Sequence, residues 1–141
     1  MRISLTVSLL IISAFAHAEQ YWCVADSAVG FKYNASNKNW EQATFNVDDS
    51  EYIISKADPN SARSKRLQGL VEYLVTKVGN KYAHIFCKEG FTENILSCSG
   101  LGSELTFNKN NGRYMHIHGI GYVEDEKGDA PHIEIGKCSP L

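Results

Sequence analysis

The sequence predicts an all-β fold: a single small antiparallel β-barrel or sandwich of about eight short strands, held by two disulfides. Three observations predict it. Runs rich in β-branched and aromatic residues alternate apolar with polar positions, and Gly, Asn, Asp and Pro punctuate them at short intervals. No strand–helix–strand rhythm and no internal repeat interrupts that pattern. Four cysteines, Cys23, Cys87, Cys98 and Cys138, form an even set spread over the chain, as in exported domains stapled by disulfides.

The N-terminal residues read as a signal peptide over 1–18. Arg2 supplies a positive start, Ile3 to Phe15 is mostly apolar, and Ala16-His17-Ala18 places small residues where a signal peptidase reads. The apolar run is shorter than the ~20 residues that span a bilayer. Residue 19 is Glu and not a lipoprotein cysteine, and no later stretch is apolar enough to cross a membrane. The expectation is cleavage after Ala18, no membrane anchor afterwards, and one disulfide-bonded β domain over 19–141. Losing Arg2 leaves 13 Lys and Arg against 16 Asp and Glu, a net charge of −3. That balance argues against nucleic acid as a partner.

No two cysteines stand at C-x-x-C spacing, so a thiolate metal site is not indicated. Three disulfide pairings are open. The favoured one joins Cys87–Cys98, closing a short loop, and Cys23–Cys138, stapling the chain ends.

Taken in order, Tyr21-Trp22-Cys23-Val24 reads as a first strand, and Phe31-Lys32-Tyr33 as its continuation after a bend at Gly30. Asn34 to Asn39 is a polar turn. Glu41 to Val47 and Glu51 to Lys56 are strands separated by Asp48-Asp49-Ser50. Asp58 to Arg66 is a polar loop. Leu67, Leu70, Val71, Leu74, Val75 and Val78 fit one helix face, so a short helix near 62–78 is one reading. The β-branched content and Gly69 favour a strand over 70–78, which Gly79-Asn80 would turn into a hairpin with Tyr73 opposite Phe86. Leu105-Thr106-Phe107 pairs through Asn110-Asn111-Gly112 with a strand from Tyr114 to Val123. A three-residue loop there puts Phe107 opposite Met115 and Leu105 opposite Ile117, with all four facing the core. His132 to Cys138 is the last strand.

That register has a chemical consequence. Glu104, His116 and His118 would share the opposite face, with Glu104 across from His118. His132 and Glu134 also share one face of the last strand. Were the two strands neighbours, His116, His118, His132, Glu104 and Glu134 would converge as a zinc or copper site. The competing reading is a solvated face rich in histidine, and a third is a proton-sensing cluster. Glu124-Asp125-Glu126 with Asp129 lacks the alternation of a calcium loop. Hydrolase signatures are absent: Ser99-Gly100-Leu101-Gly102-Ser103 resembles a nucleophile elbow only loosely, and paired cysteines leave no thiol nucleophile. Trp22, Trp40 and Tyr33 are candidates for binding a protein or an envelope glycan if their rings are exposed; core filling is the alternative.

Cys98-Ser99-Gly100, Gly102, Glu104, Phe107, Arg113-Tyr114, Gly121-Tyr122-Val123 and Ile133 to Pro140 together resemble a family of small exported proteins of Gram-negative bacteria. Cys23, Gly30-Phe31, Trp40, Phe45 and Tyr52-Ile53-Ile54 fit the same pattern. The resemblance implies a periplasmic or secreted location and no particular activity, and it does not include His116, His118 or His132.

The function expected from these readings is a non-enzymatic exported binding module without a cofactor. The alternatives are a metal- or pH-responsive protein using the histidine-rich face, with zinc or copper, and a small hydrolase.

Overall fold

The computed structural model describes residues 20–58, 60, 71–90 and 92–141. The expected signal peptide over 1–18, and residues 62–70 of the helical alternative, lie outside them. Nine antiparallel strands form one sheet: β1 (Gln20–Asn34), β2 (Asn39–Phe45), β3 (Glu51–Lys56), β4 (Tyr73–Lys77), β5 (Ile85–Glu89), β6 (Ile95–Gly100), β7 (Ser103–Asn108), β8 (Arg113–His118) and β9 (His132–Pro140). Each of β3 to β9 pairs with the next, and β9 returns to β1, which also pairs with β3. Eight strands thus close a barrel, with β2 as a ninth strand hooked onto β1. Among the described residues the one helix is α1 (Ile120–Val123), a single turn, and none is long and apolar enough to cross a membrane.

Strand β1 is one continuous element, not two short strands. Its first half pairs with β3, Trp22 opposite Ile53, and its second half with β2, Val29 opposite Thr44. Between them Asp26 is the extra residue of a bulge against β9. A bulge advances the side-chain alternation by one position. The buried residues accordingly switch from Cys23 and Ala25 to Ala28. Beyond the bulge Ser27 to Gly30 stay paired with β9, β2 takes the side of β1 that β3 has left, and only Phe31 to Asn34 run on with β2 alone as an arm.

The barrel interior is graded along its axis. At one end Cys23, Ile54, Val75, Ile85, Leu96, Leu105 and Phe107 pack against one another. Each large apolar side chain sealed there contributes about 1.5–3 kcal/mol. Both disulfides lie in this layer and join residues directly opposite on neighbouring strands: Cys23–Cys138 across β1 and β9, and Cys87–Cys98 across β5 and β6. Toward the other end the interior turns polar.

Three local expectations are corrected. The residues after Gly79 do not form a two-residue hairpin: Tyr73 faces Cys87, and Leu74 faces Phe86. Gly79 takes a positive φ within a turn closed by Asn80 N–H donating to the Lys77 carbonyl, and the chain needs 78–84 to reach β5. The β7–β8 connection holds four residues, 109–112, with Gly112 at φ +69° and its N–H donating to the Asn108 carbonyl. That extra residue moves the register by one, so Phe107 faces Tyr114 and Leu105 faces His116. Met115 and Ile117 therefore point outward, beside the exposed Ile133 and Ile135 of β9. Finally, β8 ends at His118 and does not run to Val123. Gly121 sits so close to Asp129 that a Cβ there would meet its backbone oxygen at 2.3 Å, and the segment folds into α1 instead.

Candidate functional site

The shifted register turns the polar residues of β8 and β9 into the barrel. Tyr114, His116 and His118 follow one another up β8, and Glu134 and His132 up β9. His116 lies opposite Glu134, and His118 opposite His132. At the polar mouth these residues line a cavity of about 480 Å³ with Ala28, Tyr52, Lys77, His84 and Ser103, among others. Phe45, from the end of the β2 arm, stands 5.5 Å from the His132 ring and covers one side.

Glu134 is the deepest charged group, with 1% of its surface exposed. Tyr114 donates its hydroxyl to Glu134 Oε1 at 2.7 Å, and the Tyr52 ring stands edge-on to the Tyr114 ring at 6.1 Å. Burial, followed by the effects of the carboxylate, pushes both phenols above their ordinary range, so they remain donors. Gly136, opposite Tyr114, leaves the space that the ring occupies: a Cβ there would lie 2.6 Å from Tyr114 Cε1.

The hydrogen-bond network bears on the histidine tautomers. The Tyr52 hydroxyl lies 3.3 Å from His116 Nδ1. The other ring nitrogen, His116 Nε2, is buried without a hydrogen-bond partner. Burial, with His132, His118, His84 and Lys77 adding to it, pushes the His116 pKa down to about 4, so the ring is neutral. His132 Nδ1 lies 2.8 Å from the Ala130 carbonyl, which can only accept. In the neutral ring, the lone pair is then on Nε2. One ligand atom from each of His116, His132 and Glu134 lies within 4.8 Å of the others.

His118 has a different role. Its Nε2–H donates to Asp129 Oδ1 at 2.8 Å, and Ser103 Oγ–H donates to its Nδ1 at 2.8 Å. Both nitrogens are occupied, and the ring ties β7 and β8 to the loop that carries Ala130. Ser103, His118 and Asp129 are the residue types of a hydrolytic relay, but the serine sits on Nδ1 and the carboxylate on Nε2, the reverse of the Ser-His-Asp template. Glu104 is exposed and lies opposite Ile117 on the outer face, so it is not near the histidines. Of the five sequence candidates for a metal, the fold brings together His116, His132 and Glu134. Tyr114 shares the alternation of His116 and His118 along β8, which places it on their face, whereas Tyr52 and the Ala130 carbonyl had no local sequence signal; only pairing across the barrel reveals them.

The aromatic candidates are divided. Tyr33 and Trp40 stack edge-on at 5.6 Å on the arm, and Trp40 contacts Tyr122 of α1 at the same distance. They anchor the arm to α1. Trp22 is apart from them on the barrel wall, 42% exposed, with its Nε1–H donating to Glu51 Oε2 at 3.2 Å. The chain matches no protein-family model, no curated protein and no solved structure.

Proposed function

We propose that this protein is an exported, non-enzymatic binding module whose ligand is a divalent transition-metal ion, zinc or copper, held at the barrel mouth by His116, His132 and Glu134. One observation carries the reading: a ligand atom from each of His116, His132 and Glu134 lies within 4.8 Å of the other two, and His116 Nε2 is buried without a hydrogen-bond partner. A buried polar atom without a partner is costly, and a cation there would remove that cost. Nitrogen and carboxylate donors suit zinc, and imidazole suits copper. The contacts behind them support the same reading. The Ala130 carbonyl accepts from His132 Nδ1–H, Tyr52 stands 3.3 Å from His116 Nδ1, and Tyr114 holds the carboxylate, as outer partners do in metal sites. Two buried disulfides are consistent with an oxidising, exported compartment, where the expected signal peptide would deliver the chain.

Protein purified without chelators should carry close to one equivalent of metal by elemental analysis, or take up one equivalent of Zn²⁺ in calorimetry after chelation. His116→Ala and Glu134→Gln should each weaken uptake about a hundredfold or more, since loss of outer partners alone costs 10–100-fold. His118→Ala should weaken it far less. Equal uptake by wild type and the His116→Ala/Glu134→Gln double variant would end the proposal.

A further inference from the structure

Three protein ligands leave a tetrahedral metal with one open position, and the rest of the cavity bears on what fills it. On the proposed reading of the metal site, we infer that the open position takes a small organic carboxylate from solution, gripped on its outer side by Lys77 and His84.

Charge is the first argument. Lys77 lines the cavity and makes no ion pair with a described residue. A bound dication and Lys77 together outweigh the Glu134 and Asp129 side chains by one positive charge. A monoanion restores neutrality in a space where uncompensated charge is expensive.

Donor geometry is the second. His84 lines the same cavity, and its Nδ1 is buried without a partner. Burial and the neighbouring Lys77 lower its pKa, and a neutral imidazole carries one N–H. Asn46 and Ser50 also line the cavity. The cavity thus brings the ligand atoms of His116, His132 and Glu134 together with the side chains of Lys77 and His84. A carboxylate complements that set, with one oxygen on the metal and the other toward Lys77 and His84.

Size is the third. The cavity of about 480 Å³ far exceeds the ~30 Å³ share of one water and falls in the range of small-molecule sites. It accommodates a short organic acid.

Cobalt(II) is the probe, because its visible bands report coordination. Acetate and succinate are titrated into the cobalt-loaded protein, with sodium chloride at matched ionic strength as control. The expected result is a saturable band shift with the carboxylates and none with chloride. Lys77→Met and His84→Phe should each retain one equivalent of cobalt, which also reports an intact fold, and should bind acetate at least tenfold more weakly. Cobalt bound without any carboxylate response, or a response unchanged in both variants, overturns the carboxylate inference and leaves the metal reading standing. Failure of the wild type to bind cobalt overturns both.

Discussion

His116 concentrates the energetic tension of the site. Its ordinary pKa is near 6.5 and the folded value is about 4, so over that interval the unfolded chain takes up a proton that the folded chain refuses. Stability is complete above about pH 6.5 and declines as pH falls toward 4, by a total of about 3 kcal/mol. Urea unfolding of chelator-treated protein from pH 7 to 4 should show this decline, and His116→Phe should remove about that share of it. Identical pH profiles for the two proteins would place the proton uptake elsewhere. A bound metal occupies the lone pair that a proton needs, so with saturating Zn²⁺ the decline should persist over the same interval and continue below pH 4, where the metal-free ring would begin to take up its proton.

Strands β7 and β8 show how one turn residue decides chemistry. Side chains alternate with a period of two, so a one-residue slip sends every side chain to the other face. With a three-residue loop, Met115 and Ile117 would be core and the histidines solvated. With four residues in the loop, His116 lies in the barrel and the two apolar residues are 41% and 37% exposed. Met115→Ala and Ile117→Ala should each cost about 1 kcal/mol or less, as at other exposed positions. Inward placement would cost about 2–5 kcal/mol apiece, so chemical denaturation separates the two registers directly. The apolar pattern of β8 and β9 misleads because Ile133 and Ile135 accompany Met115 and Ile117 on the outer wall, while the polar set pairs with itself inside.

At the scale of the whole molecule, one end of the barrel interior is given to polar groups, and the apolar end must hold the fold. The two disulfides reinforce that end. In the chain-entropy account, Cys23–Cys138, which spans 115 residues, should contribute about 5 kcal/mol. Cys87–Cys98, which spans 11, should contribute about 3 kcal/mol. Replacing each pair by alanine and measuring urea midpoints should rank them in that order. The opposite ranking would mean that native-state packing, not loop closure, sets their worth. Closure of the barrel also removes free edges from seven of its eight strands, leaving exposed pairing groups mainly along β1 and the β2 arm.

The sequence by itself determined the all-β class and the approximate strand count, and it favoured, among three open pairings, the two disulfides that the structure shows. The class and the strand count depend on local alternation and turn residues, which are written along the chain. It also named His116, His132 and Glu134, because H-x-H and H-x-E spacing on a strand forces same-side placement. Which side that was, only the tertiary structure decided. The reason lies in the four-residue turn at 109–112 and in the neighbours that receive the inward groups: Tyr52 from β3, Tyr114 from β8 and the Ala130 carbonyl from the loop before β9. Glu104 falls away from the cluster through the same register shift. The barrel's closure between β9 and β1, and the bulge at Asp26 that bends β1, depend on pairings more than a hundred residues apart in the chain. No local pattern encodes such a pairing; it emerges when the sheet closes and each strand finds both neighbours.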